Sequence, residues 1–185
     1  MMLKHEINAS LQIGKMTLKK GQIYAGGNTP GSVQTLKGSY AVKSGVDSPV
    51  RLTGGNNITM RMEGSLAGEE DAVLDASELE AVAASGKYAK FNFSGDNANW
   101  FGTVRVTSPR VVIYIENSDA FGGVSDVAMP KAWHFTSSAT GVAELPRLEL
   151  GSSFTESVAA TKRGIWFDVP AELSIPSDVT YDGSL

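Results

Sequence analysis

Phe91-Asn-Phe-Ser-Gly-Asp-Asn-Ala-Asn-Trp-Phe-Gly-Thr-Val-Arg-Val106 reads as strand, turn, strand. Phe91 and Phe93 alternate with Asn92 and Ser94, the period-two pattern of a strand with one face buried. Ser94-Gly95-Asp96-Asn97 supplies residues that accept turn dihedrals at little cost. Trp100 and Phe101 follow, Gly102 breaks the apolar run, and Thr103-Val-Arg-Val106 alternates again. After Pro109 a third strand, Arg110-Val-Val-Ile-Tyr-Ile115, runs into Asn117-Ser-Asp-Ala-Phe-Gly-Gly123. The alternation predicts a shared interior for Phe91, Phe93, Val104, Val106, Ile115 and either Val112 or Ile113. The breaks at Gly95 and Gly102 predict a positive φ at one of the two at least.

Outward from this stretch the chain is a series of short β-like runs divided by turn residues. Toward the start lie Leu11-Gln-Ile13, Met16-Thr-Leu18, Gln22-Ile-Tyr24, Ser39-Tyr-Ala-Val42, Val50-Arg-Leu52 and Ile58-Thr-Met-Arg-Met62. Toward the end lie Ala132-Trp-His-Phe135, Arg147-Leu-Glu-Leu150, Gly164-Ile-Trp-Phe-Asp168 and Glu172-Leu-Ser-Ile175. Gly14-Lys15 is the one good two-residue hairpin candidate; the other connections are long and irregular. That favours strands following a coil, each stacked parallel on the preceding turn, over a Greek-key β-sandwich, which is the alternative. One segment departs from the β pattern. Asp75-Ala-Ser-Glu-Leu-Glu-Ala-Val-Ala-Ala-Ser-Gly86 is rich in Ala and Glu, with a capping arrangement at Asp75 and Glu78 and a glycine where a helix would stop. It predicts a short helix over about 75–85, an excursion from the coil.

The pattern of alternating strand, S-G-D-N turn, Gly-Thr strand, short strand and N-x-x-A-φ-G closure resembles the autotransporter-associated β-strand repeat. The likeness is strongest from Lys87 to Gly123. Thr161–Ile175 resembles a second segment of such repeats but carries Lys162 where Asn is usual and Glu172 where Gly is usual. The resemblance implies an all-β fold, a right-handed parallel β-helix over 1–185 as a single domain. It implies a bacterial surface or secreted setting, extracellular or on the outer membrane, and a structural or adhesive role. Glu63-Gly-Ser-Leu66 is echoed by Asp182-Gly-Ser-Leu185, which suggests a piece of a longer repeat protein whose leader and anchor lie elsewhere.

Composition narrows the chemistry. The 185 residues carry a net charge of −4 and no basic face, which argues against nucleic acid as a partner. No run approaches the length of a membrane helix. With no cysteine, disulfides, thiolate catalysis and Cys-ligated metals are excluded. Of the two histidines, His5 lies near the start and His134 sits between Trp133 and Phe135 on a strand, where a solvent-facing role is the common one. Acidic residues gather at Glu69, Glu70 and Asp71, with Asp75, Glu78 and Glu80 nearby. Such carboxylates are the weak candidate for a calcium site, and a solvated acidic loop leading into a helix N-terminus is the stronger reading of them. The glycine-rich stretches Gly26–Gly31 and Gly54–Asn57 lack phosphate-loop spacing and are turns.

Trp100, Asn99 and Asp96, together in one turn, are the candidate ligand-contacting group, with Trp100 as a sugar-stacking surface. No cofactor is expected. The expected partners are a glycan or a host or matrix surface, and further copies of the chain end to end. The favoured function is a non-catalytic scaffold. The alternative is a carbohydrate-active coil, lyase-like or glycosidase-like, or a glycan-binding module. An enzyme would show charged groups converging on one sheet face, whereas the sequence shows ionisable residues scattered singly.

Overall fold

The computed structural model describes residues 2–4, 9–27, 29–79, 86–124, 129–136, 144–155 and 163–181. One sheet stacks β1 (Met2–Lys4), β3 (Gly21–Gly26), β5 (Val50–Gly54), β8 (Val73–Glu78), β11 (Thr103–Val106), β13 (Met129–Phe135) and β15 (Arg163–Phe167), in that order. The second stacks β2 (Ala9–Leu18), β4 (Val33–Val42), β6 (Thr59–Met62), β9 (Ala89–Phe93), β12 (Val111–Asn117), β14 (Arg147–Ser153) and β16 (Glu172–Ser174). It also holds β7 (Ser65–Gly68) and β10 (Asn99–Trp100), which extend it beside β4. Among the described residues every strand pairing is parallel. The chain passes from sheet to sheet and lays each pass on the one before, which is a right-handed parallel β-helix. Parallel pairing throughout sets aside the sandwich. No described helix is long and apolar enough to cross a membrane.

The expected interior is present. Phe91, Phe93, Val104, Val106, Ile113 and Ile115 are all within 1% of full burial, and Ile113, rather than Val112, holds the inner position of β12. Register aligns these residues in columns. Met60, Phe91, Ile113 and Leu148 run up one face, and Leu52, Ala76, Val106 and Phe135 up the other. A period-two strand stacked in register places like on like, so the alternation of each strand becomes a continuous apolar stripe. Aromatic rings close the stripe toward the later turns. Phe93 meets Trp133 edge-on at 5.3 Å, and Trp133 Nε1 donates to the Phe121 carbonyl at 3.2 Å.

β4 is ten residues long and bends midway. Val33–Leu36 pair with β6, and Ser39–Ala41 pair with β7. At the bend Gly38 has φ 121°, a conformation that L side chains rarely adopt. Gly64 and Gly95 occupy the same corner in the next two turns. There the Leu36 carbonyl accepts from both Glu63 and Gly64 N–H, and the Met62 carbonyl accepts from both Ser94 and Gly95 N–H.

Three expectations from the sequence are corrected. Neither Gly95 nor Gly102 has a positive φ; they are glycines because the turns pass too close for a side chain. A methyl group built on Gly95 would lie 2.1 Å from the Gly64 oxygen, and one on Gly102 would lie 2.4 Å from the Ala72 oxygen. Gly14-Lys15 is no hairpin turn but lies inside β2, where the register with β4 shifts between Gln12 and Lys15. The helix expected over 75–85 is, in its described part, strand: Asp75–Glu78 belong to β8, and residues 80–85 lie outside the described residues. Leu74 and Ala76 are fully buried between β5 and β11, whose pairing overrides the local helix preference.

Candidate functional site

The outward residues of the first sheet also align in a column. Arg51, Asp75, Arg105, His134 and Trp166 lie in register on five successive strands, β5 to β15. Stacking therefore brings charges 30 residues apart into direct contact. Arg105 donates from Nε and Nη2 to the two Asp75 oxygens at 2.7 and 2.9 Å, a fork on a carboxylate that is almost buried. These bonds push the Arg105 guanidinium further above its usual range. Arg110 holds Glu78 in the same way, 32 residues away, and also approaches Glu144. On the second sheet Arg61 bridges Glu116 and Glu63, and Arg147 bridges Glu149 and Glu172. These arginines and carboxylates, solitary in sequence, are paired in space.

Beside this column lies a groove of about 670 Å³. Its floor is made by Val73, Thr103, Arg105, Lys131 and His134, from β8, β11 and β13. Its wall is the loop Gly45–Ser48 and the turn Glu70–Asp71, each of which leads into a strand of the first sheet. At the far end of the floor, His134 Nε2 lies 2.7 Å from Asp168 Oδ2, and Trp166 Nε1 donates to Asp168 Oδ1 at 2.7 Å. The hydrogen bond from His134, and then that from Trp166, hold the Asp168 carboxyl below its usual range. Lys131 Nζ sits 4.8 Å from the Trp166 ring centre and 3.9 Å from Asp168. The floor is thus cationic with a histidine, and the wall carries Asp47, Glu70 and Asp71.

The candidate trio of the turn is divided by its own alternation. Asp96 and Asn99 face solvent, while Trp100 points inward and is fully buried, so it offers no surface to a sugar. Asp96 is occupied locally, its Oδ1 accepting from Ala98 N–H at 3.0 Å. The residue between them is structural. Asn97 is buried, accepts from Leu66 N–H in the previous turn, and donates to the Ala120 carbonyl in the next. Trp166, 38% exposed, is the tryptophan at the surface.

Glu69, Glu70 and Asp71 are exposed, and among the described residues no group of three such side chains is close enough to hold a metal ion. Glu70 and Asp71 instead flank the groove. His5 lies outside the described residues. The sequence does not single out Thr103, Arg105 or Lys131. Their signal is the recurrence of outward polar residues about one turn apart, visible only once the register is known. Comparison with protein-family models, curated proteins and solved structures gives no match.

Proposed function

We propose that this chain is a non-catalytic module of a surface or secreted protein, a stiff β-helical coil that presents its faces for adhesion. One observation carries the reading: the arginines Arg61, Arg105, Arg110 and Arg147 each grip a carboxylate, and each of those grips includes one from a neighbouring turn or beyond. Carboxylates held this way have their oxygens engaged by the guanidinium groups of other turns. General acid–base work needs a group poised near neutral pH. Paired charges of this kind serve to lock turn on turn. An extracellular or outer-membrane setting follows from the repeat-like sequence, as does assembly with further coil segments through strand edges at the ends of the stack.

A second reading has one observation in its favour. His134 is oriented by Asp168 beside Arg105 and Lys131, and a histidine fixed by a carboxylate next to cations is an arrangement that carbohydrate-active enzymes could use. Incubating the purified chain with pectin, alginate and other polyuronates, with and without calcium, decides between them. The scaffold predicts no unsaturated or reducing-end product; product release that His134→Ala abolishes would establish the enzyme.

A further inference from the structure

The groove on the first sheet carries a charge pattern that specifies a ligand. From its position we infer that it binds a carboxylate-bearing glycan, an oligouronate lying along the coil axis, an inference that rests on the adhesive reading above and gives it a ligand class.

Three features point this way. The first is direction. The floor crosses β8, β11 and β13, so the groove runs across the strands, over about two strand spacings of some 4.8 Å each. An extended chain lying there meets a new strand with each advance. The second is the separation of charge. The cations Arg105 and Lys131 stand on the floor, while Asp47, Glu70 and Asp71 stand on the wall. Asp75 occupies Nε and Nη2 of Arg105, leaving the Nη1 edge outside that fork. Lys131 is held only loosely, at 3.9 Å from Asp168, and its side chain is 48% exposed. A ligand carboxylate can therefore recruit Lys131 without breaking a bond that the fold needs.

The third feature is what the wall rejects. A carboxylate wall accepts hydrogen bonds from hydroxyl groups but repels a ligand that is anionic all along its length. Polyphosphate or a heavily sulfated chain would set its charges against Asp47 and Asp71. A uronate alternates one carboxylate with several hydroxyls, and so satisfies the floor and the wall together. Thr103, also on the floor, adds a hydroxyl that can donate or accept.

The arrangement contains its own reporter. Trp100 and Trp133 are buried, so the exposed Trp166 with Lys131 over its ring dominates any ligand-induced change in tryptophan emission. Drawing Lys131 toward a carboxylate shifts that emission, although Trp166 does not line the groove.

The full chain is titrated with trigalacturonic acid, with its neutral methyl ester and with polyphosphate, followed by calorimetry and by tryptophan emission. Trigalacturonic acid is expected to bind, with the ester about tenfold weaker or more, as for loss of a charge-assisted hydrogen bond. Polyphosphate is expected not to compete. Lys131→Gln should weaken binding by a similar factor with an unchanged thermal midpoint, since its side chain is exposed. Trp166→Phe should abolish the emission change while leaving the heat of binding. Equal affinity for acid and ester, no binding of either, or full affinity in Lys131→Gln would each overturn the inference and leave the scaffold reading standing. Cleavage of bound trigalacturonate would instead overturn the scaffold reading and leave the groove assignment intact.

Discussion

Gly95 and Gly14 are both interruptions in β-like sequence, yet their substitutions should act in opposite directions. A methyl on Gly95 meets the Gly64 oxygen at 2.1 Å, and that oxygen is backbone, tied into a corner that repeats over successive turns. Gly95→Ala must push one turn off another and should cost about 1–3 kcal/mol, as overpacking does. Nothing lies within 4 Å of a methyl on Gly14. Gly14→Ala should be neutral or stabilise by up to about 1 kcal/mol through the unfolded chain. Urea unfolding of both variants checks the pair; equal effects would mean that the corner gives more easily than its backbone contacts imply. The need for glycine at 95 was legible, but its cause was not. A break in alternation suggests a special φ, whereas the constraint comes from a residue 31 positions earlier in the chain. Trp100 shows the same limit. Asp96, Ala98 and Asn99 in the same turn face water, and the strand register of β10 turns the indole inward.

Strands and their pairings decide the electrostatics. Removing Arg105 leaves Asp75, only 6% exposed, without its fork. Arg105→Ala should therefore destabilise by about 1–3 kcal/mol. A double-mutant cycle with Asp75→Ala should recover a coupling of about 0.5–3 kcal/mol, where two independent surface charges would give none. The His134–Asp168 contact has a pH signature. The folded carboxyl of Asp168 titrates below its ordinary range, so its stabilisation is present above the unfolded value near pH 4 and is lost as pH falls through the folded value. Asp168→Asn should flatten the acid side of the plot of thermal midpoint against pH; an unchanged slope would remove this pair from the account. Strand existence was legible across Phe91–Ile115 because period-two alternation is a local signal. β8 was not, because Asp75 and Glu78 satisfy a helix-capping pattern locally, and the arginines that claim them stand 30 and 32 residues further on.

Seen along its axis, the coil explains why the architecture could be read from sequence while the groove could not. Alternating runs without hairpin turns leave few ways to pair strands except in a coil. The groove depends on which outward residues share a column, and that is set by turn lengths. A one-residue slip of β13 against β11 would move His134 to the inner face. The same stacking has a mechanical consequence. Each turn is bonded to the turns before and after it, through partners such as Asn57 with Tyr88, 31 residues apart, and His134 with Asp168, 34 apart. Tension applied along the chain cannot load all these bonds together. It peels the outermost turn first, and each rupture frees about 30 residues, about 100 Å of extended chain. The molecule should yield under force in a ladder of similar small steps, each dissipating work while the turns behind it remain wound.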